Sequence, residues 1–112
     1  MTKKSLYQGH LTTIVLKLLA DNDEMYGYQI TRMVKELSSG EVQLTEGALY
    51  PILHKLEANG LVEVRHEKTN NRTRKYYKLT QSGHHETTHL LKEMQDFLKQ
   101  MEVLISPIPK LK

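Results

Sequence analysis

The hydrophobic period of this chain first changes at Gly60, from that of a helix to that of a strand, and no other feature constrains the fold more. Before Gly60 apolar residues recur every three or four positions, which is typical of helices. After Gly60 the alternation is that of a half-buried strand, with Val62, Val64 and His66 between Glu63, Arg65 and Glu67. The pattern therefore predicts a helical segment followed by β structure.

Three helices are predicted before Gly60, each with one apolar face. The expected buried positions are Leu11, Ile14, Val15, Leu18 and Leu19, then Ile30, Met33, Val34 and Leu37, then Leu49, Ile52, Leu53 and Leu56. Turn-forming residues are expected to end these helices at Asp21-Asn22-Asp23, at Ser38-Ser39-Gly40 and at Asn59-Gly60. Asn59 and Gly60 are predicted to do so with left-handed backbone.

A β-hairpin and one long helix are predicted after Gly60. The returning strand holds Tyr77 and Leu79, and its two tyrosines, Tyr76 and Tyr77, are interpreted as strand and core residues. The turn is expected within 69–73, where asparagines tolerate positive φ. Thr80 is the predicted cap of the last helix, which carries a broad apolar stripe of Leu90, Leu91, Met94, Phe97, Leu98, Met101, Leu104 and Ile105. The fold class is therefore mainly α with a small β-hairpin wing (α+β).

The positive charge is concentrated in this hairpin. Residues 65–78 contain six basic side chains and one acid, an excess larger than the net charge of +3 of the whole chain. Such a local excess is expected for contact with phosphates. The chain has no cysteine, which excludes disulfides, thiolate nucleophiles and cysteine-ligated zinc. It also has no apolar run of membrane-spanning length and no recognisable export signal, so a cytoplasmic location is expected.

Four collinear segments resemble the PadR-like transcriptional regulators. They are Tyr26-Gly27-Tyr28-Gln29-Ile30, Gly47-Ala48-Leu49-Tyr50-Pro51, residues 56–62, and Tyr76-Tyr77-Lys78-Leu79-Thr80 with Gly83 after it. The resemblance implies a winged helix-turn-helix and a bacterial repressor that binds a palindromic operator as a dimer. In that fold the third helix enters the major groove and the wing touches the neighbouring backbone or minor groove.

The resemblance and the residue chemistry together place DNA contacts on the second helix, the third helix and the wing. The predicted contacts are Tyr28, Gln29, Arg32, Thr45, Glu46, Gly47, Ala48, Tyr50, Lys55, Lys68, Asn70, Asn71, Arg72, Arg74 and Lys75. Base contacts are expected to come from short side chains, and phosphate contacts from the basic ones.

The third helix allows more detail. Thr45 is its predicted N-cap, and Thr45 and the first amides of the helix are expected to bond a phosphate. Glu46 is expected to read a cytosine amino group, whereas Ala48 offers only a methyl where the family often has threonine. Tyr50 either reaches a phosphate or thymine methyl or packs at the helix edge. Pro51 is expected to bend the first turn rather than touch a base.

The last helix is predicted to form a dimer. The chain is divided into a DNA-binding domain (1–80), a dimerisation helix (81–106) and a tail (107–112). The predicted interface holds Leu11, Val15, Leu91, Met94, Phe97, Leu98, Met101 and Ile105. Packing of the stripe on the first helix of the same chain is the alternative, and both are expected to occur. Some members of the family bind a small aromatic effector between these helices, where the present chain offers Tyr7, Met94, Phe97 and Met101.

Other functions have weaker support. His85 and His89 lie four positions apart, next to His84, but the pattern fixes no third ligand, so neither a metal nor another cofactor is predicted. No Ser/His/Asp set, phosphate loop or paired carboxylate spacing indicates an enzyme. A winged helix that binds protein instead of DNA would be expected to have an acidic or apolar wing, which this chain lacks.

Overall fold

The computed structural model describes the backbone of residues 3–109 and the side chains of residues 6–109. Its elements are α1 (Lys3–Gln8), α2 (Leu11–Asp21), β1 (Met25–Tyr26), α3 (Gly27–Leu37), α4 (Glu46–Ala58), β2 (Val62–Thr69), β3 (Arg72–Leu79) and α5 (Gln81–Ile105). The predicted fold class is confirmed. Residues 1–2 of the expected DNA-binding domain and residues 110–112 of the expected tail lie outside the described residues.

Two elements were not predicted from the sequence. The first is the short helix α1, which precedes the first predicted helix. The second is the two-residue strand β1, which pairs antiparallel with β3, so that Met25 lies opposite Tyr77 and Tyr26 opposite Tyr76. The hairpin is thus part of a three-stranded sheet in the order β1-β3-β2. A two-residue strand is too short to show a period of two.

The core lies between α2, α3, α4 and the base of the hairpin. Its fully buried side chains are Val15, Leu16, Leu19, Ile30, Leu49, Leu53 and Tyr77. The prediction was wrong for Leu37, which is 73% exposed because α3 ends at this residue and projects past the core. It was also wrong for His66, which is exposed because only the first half of β2 covers the core.

The turns agree with the prediction except in two details. Asn70 and Asn71 form a two-residue hairpin turn with φ of 47° and 66°, while Arg72 already belongs to β3. Left-handed backbone after α4 is supplied by Gly60, with φ of 72°, whereas Asn59 has φ of −88°. The glycine alone is used because it takes positive φ without a Cβ penalty.

Helix α5 begins in close contact with the body of the protein. Thr80 caps it by accepting a hydrogen bond from Gly83 N at 3.0 Å, and Thr80 also donates to Gly60 O at 2.7 Å. A Cβ on Gly83 would lie 2.0 Å from the carbonyl oxygen of Leu61. Glycine therefore allows the helix to start against the α4–β2 connection.

The rest of α5 projects from the body. No side chain of α5 after Thr87 is buried among the described residues, and Ser106 ends the helix before Pro107. The molecule measures 71 × 29 × 21 Å. Its radius of gyration of 16.9 Å exceeds the roughly 13 Å of a compact domain of this length. Within residues 3–109, no helix has the length and apolar content needed to cross a membrane.

Candidate nucleic-acid interface

The start of α4 presents a capped and exposed first turn. Thr45 is the N-cap, and its Oγ1 accepts a hydrogen bond from the amide of Ala48 at 3.2 Å. The amide of Ala48 is therefore already occupied, although the sequence had placed it among the first amides expected to bond a phosphate. The amides of Glu46 and Gly47 remain, since the first amides of a helix have no carbonyl within it to bond. Glu46 and Gly47 are exposed, whereas Ala48 is half-buried.

Tyr50 both packs and remains accessible. A Cβ placed on Gly27 would lie 2.9 Å from Tyr50 Oη, so the tip of the tyrosine rests on the glycine at the start of α3. The side chain is nevertheless 38% exposed. Burial raises the pKa of the neighbouring Tyr77, and Tyr50 adds to this effect. The two alternatives for Tyr50 are therefore compatible, because its tip packs on α3 while part of its ring faces solvent.

The predicted contacts on α3 are exposed but already engaged. Arg32 Nη1 donates to Tyr28 Oη at 3.0 Å and Nη2 donates to Glu36 Oε1 at 2.9 Å. These hydrogen bonds, with Tyr28 first, hold the pKa of Arg32 above its usual range. Gln29 Oε1 accepts from the amide of Tyr26 at 3.0 Å, which leaves its amide nitrogen for DNA.

A hollow joins α3 to the start of α4. It measures about 190 Å³ and is lined by Tyr28, Thr31, Arg32, Lys35, Gln43, Leu44 and Thr45. The sequence analysis did not identify Thr31, Lys35 and Gln43 as part of this hollow, because nothing in the helical period distinguishes them from other surface residues. The fold thus brings the predicted contacts on α3 to the N-cap of α4.

The positive charge of the hairpin is divided between its base and its tip. At the base, Arg65 Nη2 lies 2.5 Å from Glu24 and Nη1 lies 2.8 Å from Glu67. The hydrogen bond from Arg65 lowers the pKa of Glu24. Lys78 lies 3.7 Å from Asp23. The other four basic side chains of the hairpin, here called the tip cations, are Lys68, Arg72, Arg74 and Lys75. Among the described residues they have no ion pair. The excess seen in the sequence is therefore located at the tip.

The two faces of the hairpin carry different tip cations. Residues opposite one another in an antiparallel pair share a face, and neighbouring residues alternate between faces. Lys75, opposite His66, lies on the face that holds the buried Tyr77. Arg72 and Arg74 lie on the other face. The predicted wing contacts thus point to both sides of the sheet.

A cleft separates the wing from α4. It measures about 350 Å³ and is lined by Tyr26, Gly27, Tyr50, His54, Thr73, Arg74, Lys75 and Tyr77. His54 is exposed one helical turn after Tyr50 and was not among the predicted contacts. The spacing of four residues between Tyr50 and His54 places both on one face of the helix, and it was the sign in the sequence that could have identified His54. On the other side of α4, Lys55 lines a groove with residues of α1 and α2.

The predicted interface residues fall into two groups. Leu11 is 8% exposed and Val15 is fully buried, so both belong to the core of one chain and offer little surface to a partner. Leu91, Met94 and Met101 are half-buried, whereas Phe97, Leu98 and Ile105 are exposed. The ring of Phe97 lies 5.4 Å from that of His10, so the stripe packs on its own chain in part.

The three histidines of α5 do not converge with other ligands. His89 Nε2 lies 3.3 Å from Glu93 Oε1 on the same helix. His84 and His85 are exposed. Across the part of the chain that the structure describes, no group of three or more His, Asp or Glu side chains could hold a metal ion.

Comparison with known proteins gives consistent matches. The model of the transcriptional regulator PadR-like family matches residues 15–89. The transcriptional regulator Rv3488 of Mycobacterium tuberculosis is 31% identical over 87 residues, which cover 78% of each chain. An uncharacterised protein of Lysinibacillus sphaericus is 30% identical over 94 residues, or 83% of this chain and 85% of that protein.

Solved structures share the fold. A transcriptional regulator of Clostridium thermocellum superposes with a TM-score of 0.84 at 23% identity and covers 95% of this chain and 100% of its own. A PadR family regulator of Eggerthella lenta has a TM-score of 0.77 at 24% identity, over 93% of this chain and 88% of its own. At these identities the likeness concerns the arrangement of α1–α5 and the sheet.

Proposed function

Because this chain belongs to the PadR-like family of transcriptional regulators, we propose that it represses transcription by binding a palindromic operator as a homodimer. Members of the family are DNA-binding regulators of transcription and not enzymes. The repressor role, the palindrome and the dimer go beyond family membership.

One observation carries the proposal, namely the position of the tip cations. Arg65 and Lys78 are paired with acids, so the uncompensated charge of the wing lies at its tip. The tip is separated from α4 by a cleft whose lining residues include Arg74 and Lys75 but no acid. A recognition helix next to an uncompensated basic wing is the arrangement expected for a duplex, because phosphates border the groove that the helix enters.

The contacts divide by chemistry. We assign phosphate binding to the basic side chains at the wing tip, to Lys55 and Arg32, and to the first amides of α4. Base readout is assigned to Glu46, Ala48 and Tyr50, which lie near the start of α4. The other predicted contacts are assigned to the DNA backbone, and they are Tyr28 and Gln29 on α3, Thr45 and Gly47 at the start of α4, and Asn70 and Asn71 in the hairpin turn.

The dimer is proposed to form through α5. Its exposed apolar side chains include Phe97 and Leu98, at 41% and 57% exposure. Burying a fully exposed side chain of this kind is worth ~1.5–3 kcal/mol, and each of these two would gain roughly half of that against a second copy. A two-fold axis would present two copies of α4 to half-sites about one DNA turn apart.

Two further parts of the proposal concern regulation and location. A small aromatic effector could bind between α2 and the α5 helices of the dimer, where Met94, Phe97 and Met101 are partly accessible. Such a ligand would act by changing the spacing of the two α4 helices. We place the protein in the cytoplasm, where its DNA lies.

Replacing Arg72 and Arg74 by alanine tests the wing. Both side chains are exposed and lack an ion pair in the described part of the chain. Their removal should weaken binding to every DNA sequence and reduce the slope of log K against log salt by ~0.9 for each phosphate that is no longer bound. The measurement is fluorescence anisotropy with a labelled duplex at several salt concentrations.

Lys78→Ala provides the matched control. Lys78 lies on the same strand and face as Arg74 but is paired with Asp23 at the base of the hairpin. Its removal should leave the salt slope unchanged. An unchanged slope in the double arginine variant would remove the wing from the interface.

A further inference from the structure

Tyr26 lies at the junction of three elements without being among the predicted DNA contacts. It is the second residue of β1 and lies opposite Tyr76 in the sheet. Its amide donates to Gln29 Oε1 at 3.0 Å, which fixes the start of α3. A change in the position of this residue would therefore be felt by α3 and by the wing together.

The ring of Tyr26 is in contact with a tip cation. The guanidinium carbon of Arg74 lies 4.5 Å from the centroid of the Tyr26 ring. The Tyr76 ring meets Tyr26 edge-on, with centroids 5.4 Å apart and planes at 73°. Arg65 in turn covers Tyr76 at 4.6 Å and is anchored to Glu24. The two rings and the two guanidinium groups form one continuous series of contacts along one face of the sheet.

We propose that Tyr26 is a positioning residue that holds Arg74 of the wing in place for DNA. The inference rests on the proposed function. The Tyr26 ring covers the face of the guanidinium, and the N–H groups of Arg74 that are not hydrogen-bonded to Tyr76 stay available at its edge for a phosphate. Arg74 would therefore meet DNA with part of its side-chain freedom already removed. Arg72 has no ring stacked against it in the described residues. Its side chain would therefore lose more conformational freedom on binding DNA.

Double-mutant cycles distinguish positioning from a general structural role. A cation–π contact at an exposed site corresponds to about a two- to five-fold change in an equilibrium constant. Tyr26→Leu should therefore weaken DNA binding about two- to five-fold. In an Arg74→Ala background the same substitution should have no further effect, whereas in an Arg72→Ala background its effect should be undiminished. Tyr26→Phe keeps the ring and should restore wild-type binding.

The outcomes are separable. If Tyr26→Leu lowers DNA affinity by the same factor in the Arg74→Ala and Arg72→Ala backgrounds, Tyr26 does not act through Arg74 and the inference is overturned. If Tyr26→Phe binds as weakly as Tyr26→Leu, the ring contact is not the cause and the inference is likewise overturned. If the wild-type protein binds no DNA at any salt concentration, the proposed function itself fails.

A measurement on the free protein keeps the inference testable should Tyr26→Leu not fold. In the wild-type protein the δ-methylene protons of Arg74 should be shifted upfield in the NMR spectrum by the Tyr26 ring, while those of Arg72 should not. Equal shifts for the two arginines would show that the ring does not hold Arg74, whatever the protein binds.

Discussion

At the residue scale, the motif glycines and tyrosines act through contacts that the sequence does not display. Gly27 supports the tip of Tyr50, and Gly83 lets α5 approach the carbonyl of Leu61. The sequence correctly marked these segments as motifs, but no spacing indicates which distant residue a glycine will meet. The same limit explains why Tyr26 was missed, since its partners lie on other elements, whereas the spacing of His54 from Tyr50 was visible in the sequence.

Gly83→Ala is predicted to destabilise the protein. The new Cβ would lie 2.0 Å from the carbonyl oxygen of Leu61, so the backbone of α5 or of the α4–β2 connection must move. Such overpacking costs typically ~1–3 kcal/mol, and here the obstacle is backbone, which yields less easily than a side chain. The free energy of unfolding, measured by urea titration followed by circular dichroism, should fall accordingly.

Gly9→Ala is the control for this substitution. A Cβ at Gly9 would meet nothing within 4 Å, so the unfolding midpoint should change little. Equal midpoints for Gly83→Ala and the wild-type protein would contradict the close approach of α5 to Leu61.

At the element scale, long periodic segments were predicted well and short or mixed ones were not. The predicted starts of α4 and α5 at Thr45 and Thr80 agree with the structure, because each cap is followed by a clear apolar period. Helix α1 and strand β1 were missed because six and two residues are too few to establish a period. Leu11 and Val15 were assigned to the dimer interface, but α2 buries them within one chain.

Helix α5 is predicted to lose its partner when charge is placed on its apolar stripe. Met94→Asp combined with Met101→Asp should give a monomer with reduced operator affinity, because each carboxylate would be buried without a partner in the dimer. Sedimentation velocity at micromolar concentration gives the oligomeric state.

The control for the α5 variant carries the same change in charge on exposed polar positions. Gln95→Asp combined with Gln100→Asp should leave the oligomeric state unchanged. If the methionine variant sediments as the same species as the wild-type protein, α5 is not the main interface.

At the scale of the whole molecule, the shape is that of a body with one projecting helix. The radius of gyration of 16.9 Å reflects a helix that extends well beyond the core and carries exposed apolar residues toward its end, among them Leu104 and Ile105. The sequence predicted the long last helix, and the structure confirms it. In the proposed dimer, the angle between α5 and the body would set the distance between the two α4 helices, and close contacts such as that of Gly83 with Leu61 would hold this angle.

Footprinting of a selected DNA site tests the account most directly. Genomic fragments bound by the wild-type protein would be enriched over several rounds, and the protected bases and the number of bound chains would then be measured on the best fragment. We predict two chains on an inverted repeat whose half-site centres lie about 10–10.5 base pairs, or a multiple of that, apart. The absence of any enriched sequence, or one chain bound to a site without two-fold symmetry, would contradict the proposed dimeric repressor.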